Sequence, residues 1–160
     1  MVKITLSNED QELCKKIASE RTRANRSNGI QDQFIGKQDS NVAELDGFAA
    51  ELAFCRIFHC EPDLSVTPRA GGYDTVLSDG RTVDVKNVNK QYRQFFLNVK
   101  KTKANQSTNL YALVTGTFPN YEFRGWIESS ELFIPENIKD FGYGPGKEAY
   151  SVSETKLKLV

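Results

Sequence analysis

The chain has 160 residues, 39% hydrophobic and 26% charged, enough for one soluble domain that removes about two thirds of its unfolded surface from water without disulfides or a structural metal. Twenty-one Lys and Arg against twenty-one Asp and Glu exclude a polybasic protein whose whole surface grips nucleic acid. The single histidine, His59, excludes two-histidine zinc helices and paired-histidine phosphotransfer, and leaves acid–base chemistry to carboxylates and lysines.

Cys14, Cys55 and Cys60 form no Cys-x-x-Cys, and an odd number fits a reducing compartment; the expected setting is the cytoplasm. No window approaches the roughly 18 apolar residues of a membrane span, so neither a span nor a signal peptide is expected.

In chain order, Ser7-Asn8-Glu9-Asp10 reads as a helix start, and Leu13, Ile17 and Ala18 at helical spacing predict a first helix over 8–25. The polar stretch 25–39 predicts a loop. From Ser40 a broad apolar stripe of Val42, Leu45, Phe48, Ala49, Leu52, Ala53, Ile57 and Phe58 predicts a mostly buried second helix, ended by Glu61-Pro62-Asp63. Residues 67–72 read as a loop. The period then changes to that of strands: 73–77 and 82–88 flank Ser78-Asp79-Gly80 as a hairpin, followed by strands at 94–99, 110–116 and 121–127. A short helical turn at 129–133, a glycine-rich turn or lid at 142–146 and a late strand at 150–152 complete the chain. The expected class is α+β (mixed α/β) in one domain: 1–39 an N-terminal helix and loop, 40–127 a core, 128–160 a C-terminal extension.

Chemistry concentrates in Gly71-Gly72-Tyr73-Asp74 and Thr82-Val83-Asp84-Val85-Lys86. Alternation along a strand puts Asp84 and Lys86 on one face and Val83 and Val85 on the other. A two-residue hairpin loop at Asp79-Gly80 would set Asp74 across from Val85, whereas a three-residue loop of Ser78, Asp79 and Gly80 sets Asp74 across from Asp84. The second register makes a site, and it requires Gly80 at positive φ. Two facing carboxylates repel unless a cation sits between them. With all-oxygen ligation that cation is Mg²⁺, or Mn²⁺, which completes its shell with phosphate oxygens. Lys86 would then orient an attacking water or help deprotonate it.

The ordered set Glu51 on an apolar helix, Asp74, then Asp84-Val85-Lys86 resembles the PD-(D/E)XK, or restriction-endonuclease-like, nucleases; Tyr73 stands where the family's proline would. The resemblance covers about residues 44–116. It implies an αβββαβ core, a central mixed sheet flanked by helices, and Mg²⁺-dependent hydrolysis of phosphodiesters of DNA, more rarely RNA, most simply by an endonuclease. It further implies that Asp74, Asp84 and the Val85 carbonyl hold the metal, that Glu51 binds it directly or through water, and that Lys86 serves the nucleophile. Glu44 is an alternative to Glu51. A compact nuclease of a bacteriophage or mobile element, working as a homodimer in a bacterial cytoplasm, is the setting the resemblance suggests. A catalytically silent nucleic-acid-binding or structural module on the same fold is the alternative.

Charge placement points the same way. Between Val85 and Tyr121 there is no Asp or Glu, while Lys86, Lys90, Arg93, Lys100, Lys101 and Lys103 supply six positive charges. Tyr92, Phe95 and Phe96 lie among them, as base-stacking or as core rings. Arg69 is a further phosphate-contact candidate, and Arg21, Arg23 and Arg26 a second basic arm. His59 and the cysteines read as structural, and Trp126 as packing on the sheet.

Overall fold

A computed structural model describes residues 1–27, 40–66 and 72–159. The expected loop segments 28–39 and 67–71, and with them Arg69, lie outside the described residues.

Helix α1 (Asn8–Ser27) opens with Ser7 Oγ accepting the Asp10 amide at 3.1 Å, as a capping serine should. It buries Cys14, Ile17, Ala18, Arg21 and Thr22, one stripe at helical spacing, against α2 (Ser40–Phe58). In α2 the run Phe48–Ala49–Ala50 and Leu52–Ala53–Phe54–Cys55 is buried on several faces, because α2 lies between α1 and the sheet. Arg56 of α2 grips Asp10 of α1 at 2.8 Å, and that hydrogen-bonded guanidinium holds the Asp10 carboxyl below its usual range.

The main sheet is mixed and five-stranded. Its strands β1 (Val2–Thr5), β2 (Thr75–Val76), β3 (Thr82–Val88), β5 (Leu110–Thr117) and β6 (Asn120–Glu128) lie in the order β1-β6-β5-β3-β2. Between β3 and β5 the chain makes β4 (Phe96–Lys100) and a 3-10 turn, Lys101–Asn105. After α3 (Ser129–Leu132) come β7 (Ile138–Lys139) and β8 (Ala149–Ser153), which join β4 in a small antiparallel sheet ordered β4-β8-β7.

Two cores follow from strand alternation. Val83, Val85, Leu110, Ala112, Val114, Phe123 and Trp126 meet the helices, with Trp126 wedged among Phe54, Phe58 and Phe123 at centroid distances of 4.9–6.3 Å. On the other face Tyr111, Leu113 and Ile127 meet Leu97, Val99, Tyr150 and Val152 of the small sheet. Gly125 is required where the C-terminal segment crosses β6: it has φ +136°, and a Cβ there would stand 2.6 Å from that of Leu157.

The class is α+β, as the sequence pattern indicates, but three expectations are corrected. The segment joining β3 to β5 holds no α-helix, so the order is not αβββαβ through this region. Its strict alternation, Phe95, Leu97 and Val99 buried against Phe96, Asn98 and Lys100 exposed, has the two-residue period of a strand. Consequently the helices α1 and α2 cover one face of the main sheet and the small sheet covers the other. The first residues also form an edge strand, β1, paired with β6, and the C-terminal segment 128–160 supplies two strands of the second core.

Candidate active site

The β2–β3 register is that of the three-residue loop: Thr75 pairs with Val83 and Val76 with Thr82. The pairing ends there, and the Asp74 N–H meets the Val83 carbonyl, so Asp74 sits at the open end of β2 rather than one regular step further on, across from Asp84. Leu77 and Arg81 close the hairpin through a 2.9 Å amide-to-carbonyl bond, and Gly80 takes φ +90° with open space around it. The three-residue loop therefore depends on glycine for its backbone.

Strand β2 is only two residues long, which leaves the Val85 amide on β3 beyond its last backbone partner. Asp74 takes its place: Oδ2 accepts the Val85 N–H at 2.7 Å, while the Asp74 N–H donates to the Val83 carbonyl at 2.8 Å. In a strand the N–H and C=O of one residue face the same neighbour. The Val85 carbonyl therefore opens into the same gap as the Asp74 carboxylate.

Asp84 is 1% exposed on the face toward the small sheet. A bare carboxylate would be costly there, and two ammonium groups offset it: Lys86 Nζ lies 2.5 Å from Oδ1, and Lys103 donates to Oδ2 at 2.8 Å. Burial, the largest single influence, would lower the Lys103 pKa, but the charge and hydrogen bond of Asp84, with smaller pushes from Lys86 and Asp74, together outweigh it and hold the group above the ordinary lysine range. Lys103 is thus charged throughout the neutral range. Tyr111, the β5 partner of Asp84, buries its ring on the same face, and burial pushes its phenol up, with Asp84 adding to the shift.

Glu51 is placed differently. It lies on α2, which packs against Val83 and Val85, the face away from Asp84 and Lys86. Its Oε2 stands 3.6 Å from Nη1 of Arg21, itself 8% exposed. Arg21 also donates to the carbonyls of Asp63 and Ser65 at 2.8 and 3.1 Å and covers the Phe48 ring. Arg21 is therefore an internal strut rather than part of a basic arm, whereas Arg23 and Arg26 are exposed. Glu44 accepts from Asn25 at 3.2 Å. Among the described residues no three His, Cys, Asp or Glu gather closely enough to hold a metal.

The residues that could hold a hard divalent ion are Asp74, Asp84 and the Val85 carbonyl, oxygen donors of the kind Mg²⁺ uses alongside its retained waters. Lys103 would have to leave Asp84 to admit it. Lys90, Arg93, Lys100 and Lys101 are exposed around the connection that carries Lys103. A polar cleft of about 550 Å³ on the β1, β5 and β6 side, lined by Lys3, Thr115, Glu122 and Arg124 among others, contains none of these residues.

The pairing of Lys103 with Asp84 is the element that sequence reasoning missed; it named Lys103, with Lys90, Arg93, Lys100 and Lys101, as a nucleic-acid contact. One signal was present: with no acid between Val85 and Tyr121, a lysine there that pairs must find its carboxylate outside that interval.

Next to the site, α2 ends with His59 in the left-handed region, φ +53°, and the Cys60 N–H donates to the Cys55 carbonyl at 3.0 Å. A hydrogen bond from the Cys55 thiol lowers the Cys60 pKa, while that bond and burial push Cys55 up. Cys14 is pushed up to about 12 by burial. Because a thiolate alkylates and a thiol does not, iodoacetamide should modify Cys60 with a pH midpoint below that of an ordinary cysteine thiol, leaving Cys14 intact. Peptide mass spectrometry of the folded chain reads this directly, and Cys55→Ala should move the midpoint upward.

The family model described as "Family of unknown function (DUF5843)" matches residues 2–158, and the chain belongs to that family. No curated protein matches the chain. No helix among the described residues is long and apolar enough to cross a membrane.

Proposed function

We propose that the chain is a metal-dependent nuclease of restriction-endonuclease-like type that hydrolyses DNA phosphodiester bonds as an endonuclease. The observation that carries this reading is that Asp74, at the open end of β2, accepts the Val85 N–H on β3 next to Asp84, with Lys86 on Asp84. Asp74, Asp84 and the Val85 carbonyl would hold Mg²⁺ or Mn²⁺. A bound ion of this kind lowers the pKa of a coordinated water and polarises the phosphoryl oxygens. Lys86 would orient the attacking water and offset charge on the phosphate. Lys103, released from Asp84, would follow the phosphate oxygens as a second point charge. As the new P–O bond forms to the water oxygen, the bond to the leaving ester oxygen breaks; the attacking water gives up a proton to solvent and the leaving oxygen takes one up from solvent, so that one water is consumed. Glu51, ion-paired with Arg21 on the helix-covered face of the sheet, takes no part in this step.

The alternative is a catalytically silent nucleic-acid-binding module. The observation in its favour is that Lys86 and Lys103 already neutralise Asp84. Cleavage of single-stranded, duplex and branched DNA in Mg²⁺, Mn²⁺ or EDTA separates the two readings. The nuclease reading expects products only with metal and their loss in Lys86→Ala. Binding without cleavage under every condition would select the silent module, and cleavage that persists in EDTA or in Lys86→Ala would refute the mechanism.

A further inference from the structure

We propose that the outer face of the small sheet is a stacking platform for the unpaired bases of a single-stranded nucleic acid. This surface lies apart from the acids and deepens the nuclease reading by naming the form of strand the protein holds.

The face follows from alternation. With Leu97, Val99, Tyr150 and Val152 turned into the core, β4 presents Phe96, Asn98 and Lys100 outward, and the central strand β8 presents only Ala149, Ser151 and Ser153. Small residues thus form the middle of the sheet and leave the rings at its margins uncovered. Phe96 is 38% exposed, Phe141 36% and Tyr143 51%, unusual for three aromatic rings in one neighbourhood. Phe141 and Tyr143 lie nearly parallel, 19° apart in plane with centroids 6.3 Å apart. Lys139 joins the set, its Nζ 5.5 Å from the Phe96 centroid and 5.1 Å from that of Phe141. Asp140, the acid nearest this cluster in sequence, is turned to its own loop, accepting the Gly142 amide at 2.8 Å.

Flat rings with lysines between them match a strand whose bases offer π-faces and whose backbone is anionic. A duplex hides those faces in its own stack, and an aliphatic partner would gain nothing from the lysines. The placement also suits delivery. From Phe96 to Lys100, β4 spans about 13 Å at 3.3 Å per residue and runs into the turn that carries Lys101 and Lys103, the latter on Asp84. A strand stacked on the rings would have its phosphates led along β4 toward the acids.

The test is fluorescence anisotropy of the full chain in EDTA, where nothing is cut. The probes are one labelled mixed-sequence oligonucleotide as a single strand, the same sequence as a blunt duplex, and an abasic strand of equal charge. The platform predicts that the single strand binds about tenfold or more tightly than either of the others, in line with stacking on aromatic side chains. It predicts that Phe141→Ala/Tyr143→Ala, with an unchanged melting temperature, removes that preference and leaves the abasic strand bound as before. Equal binding of abasic and base-bearing strands, or an unaffected double variant, would overturn the proposal. Absence of cleavage in Mg²⁺ bears on the nuclease reading alone, because this assay contains no cutting step.

Discussion

Asp84→Asn should abolish DNA cleavage, lowering the rate by about 10³-fold or more, equivalent to roughly 4 kcal/mol of transition-state stabilisation. The substitution removes the charge of a proposed ligand while keeping the shape and one acceptor oxygen, so the fold should survive. Mn²⁺ affinity measured by calorimetry should fall by more than the roughly 10–100-fold that loss of an outer partner costs. Asp84 also stands between Lys86 and Lys103, and an amide no longer offsets their charges. Both lysines reach solvent, so the loss of stability should stay near about 1–2 kcal/mol, well below that of a fully buried pair. A melting temperature close to wild type beside absent cleavage separates chemistry from collapse. Cleavage by Asp84→Asn at the wild-type rate would remove Asp84 from the site.

The largest effect on stability should come from a different aspartate. Asp46 on α2 is 6% exposed and accepts from the Phe118 N–H at 3.0 Å, the Tyr121 hydroxyl at 3.1 Å and the Asn89 side chain at 3.2 Å. It therefore ties the helix layer to the β5–β6 turn and to the start of the connection that carries β4. Asp46→Ala leaves three donors without their acceptor and should cost about 3–5 kcal/mol, since each buried unsatisfied group costs about 1–3 kcal/mol and water recovers part of it. Urea denaturation should show a lower midpoint with an unchanged slope. Asp46→Asn keeps an acceptor oxygen and should cost less than half as much. A change below about 1 kcal/mol for Asp46→Ala would contradict the accounting. Tyr121 adds a pH signature: burial, then Asp46, raises its pKa. An acid whose pKa is raised on folding contributes stability below its unfolded value and loses it as pH rises, so the fold should weaken above about pH 10.

How much of this was legible in the sequence varies with the range of the interaction. The hairpin was narrowed to two registers because it is local, and the structure, with Gly80 at φ +90° and Thr75 across from Val83, takes that of the three-residue loop. Helix α2, strand β3 and strand β8 were readable from periodicity, with errors of a few residues at their ends. The edge strand β1 was not, since only Ile4 of Val2–Thr5 is even partly buried and its pairing depends on β6, more than a hundred residues away. The parallel pairing of β3 with β5 was equally hidden, because its crossover carries a strand of another sheet instead of a helix.

The same distinction holds at the site. Sequence spacing put Asp84 and Lys86 on one face, and the 2.5 Å contact follows from that spacing. The Arg21–Glu51 and Lys103–Asp84 pairs join residues 30 and 19 positions apart through packing that no local pattern encodes. Glu51, drawn into the candidate site by its apolar setting, has Arg21 beside it in that same setting. Lys103, taken for a nucleic-acid contact, sits on the central acid.

The central claim is that one hard divalent ion lies between Asp74, Asp84 and the carbonyl of Val85. The most direct measurement is an anomalous difference map from crystals of the full chain soaked in MnCl₂. A peak is expected about 2.0–2.2 Å from an oxygen of each of the three, with Lys103 moved off Asp84. No peak there at saturating Mn²⁺, with Lys103 still paired to Asp84, would contradict the claim.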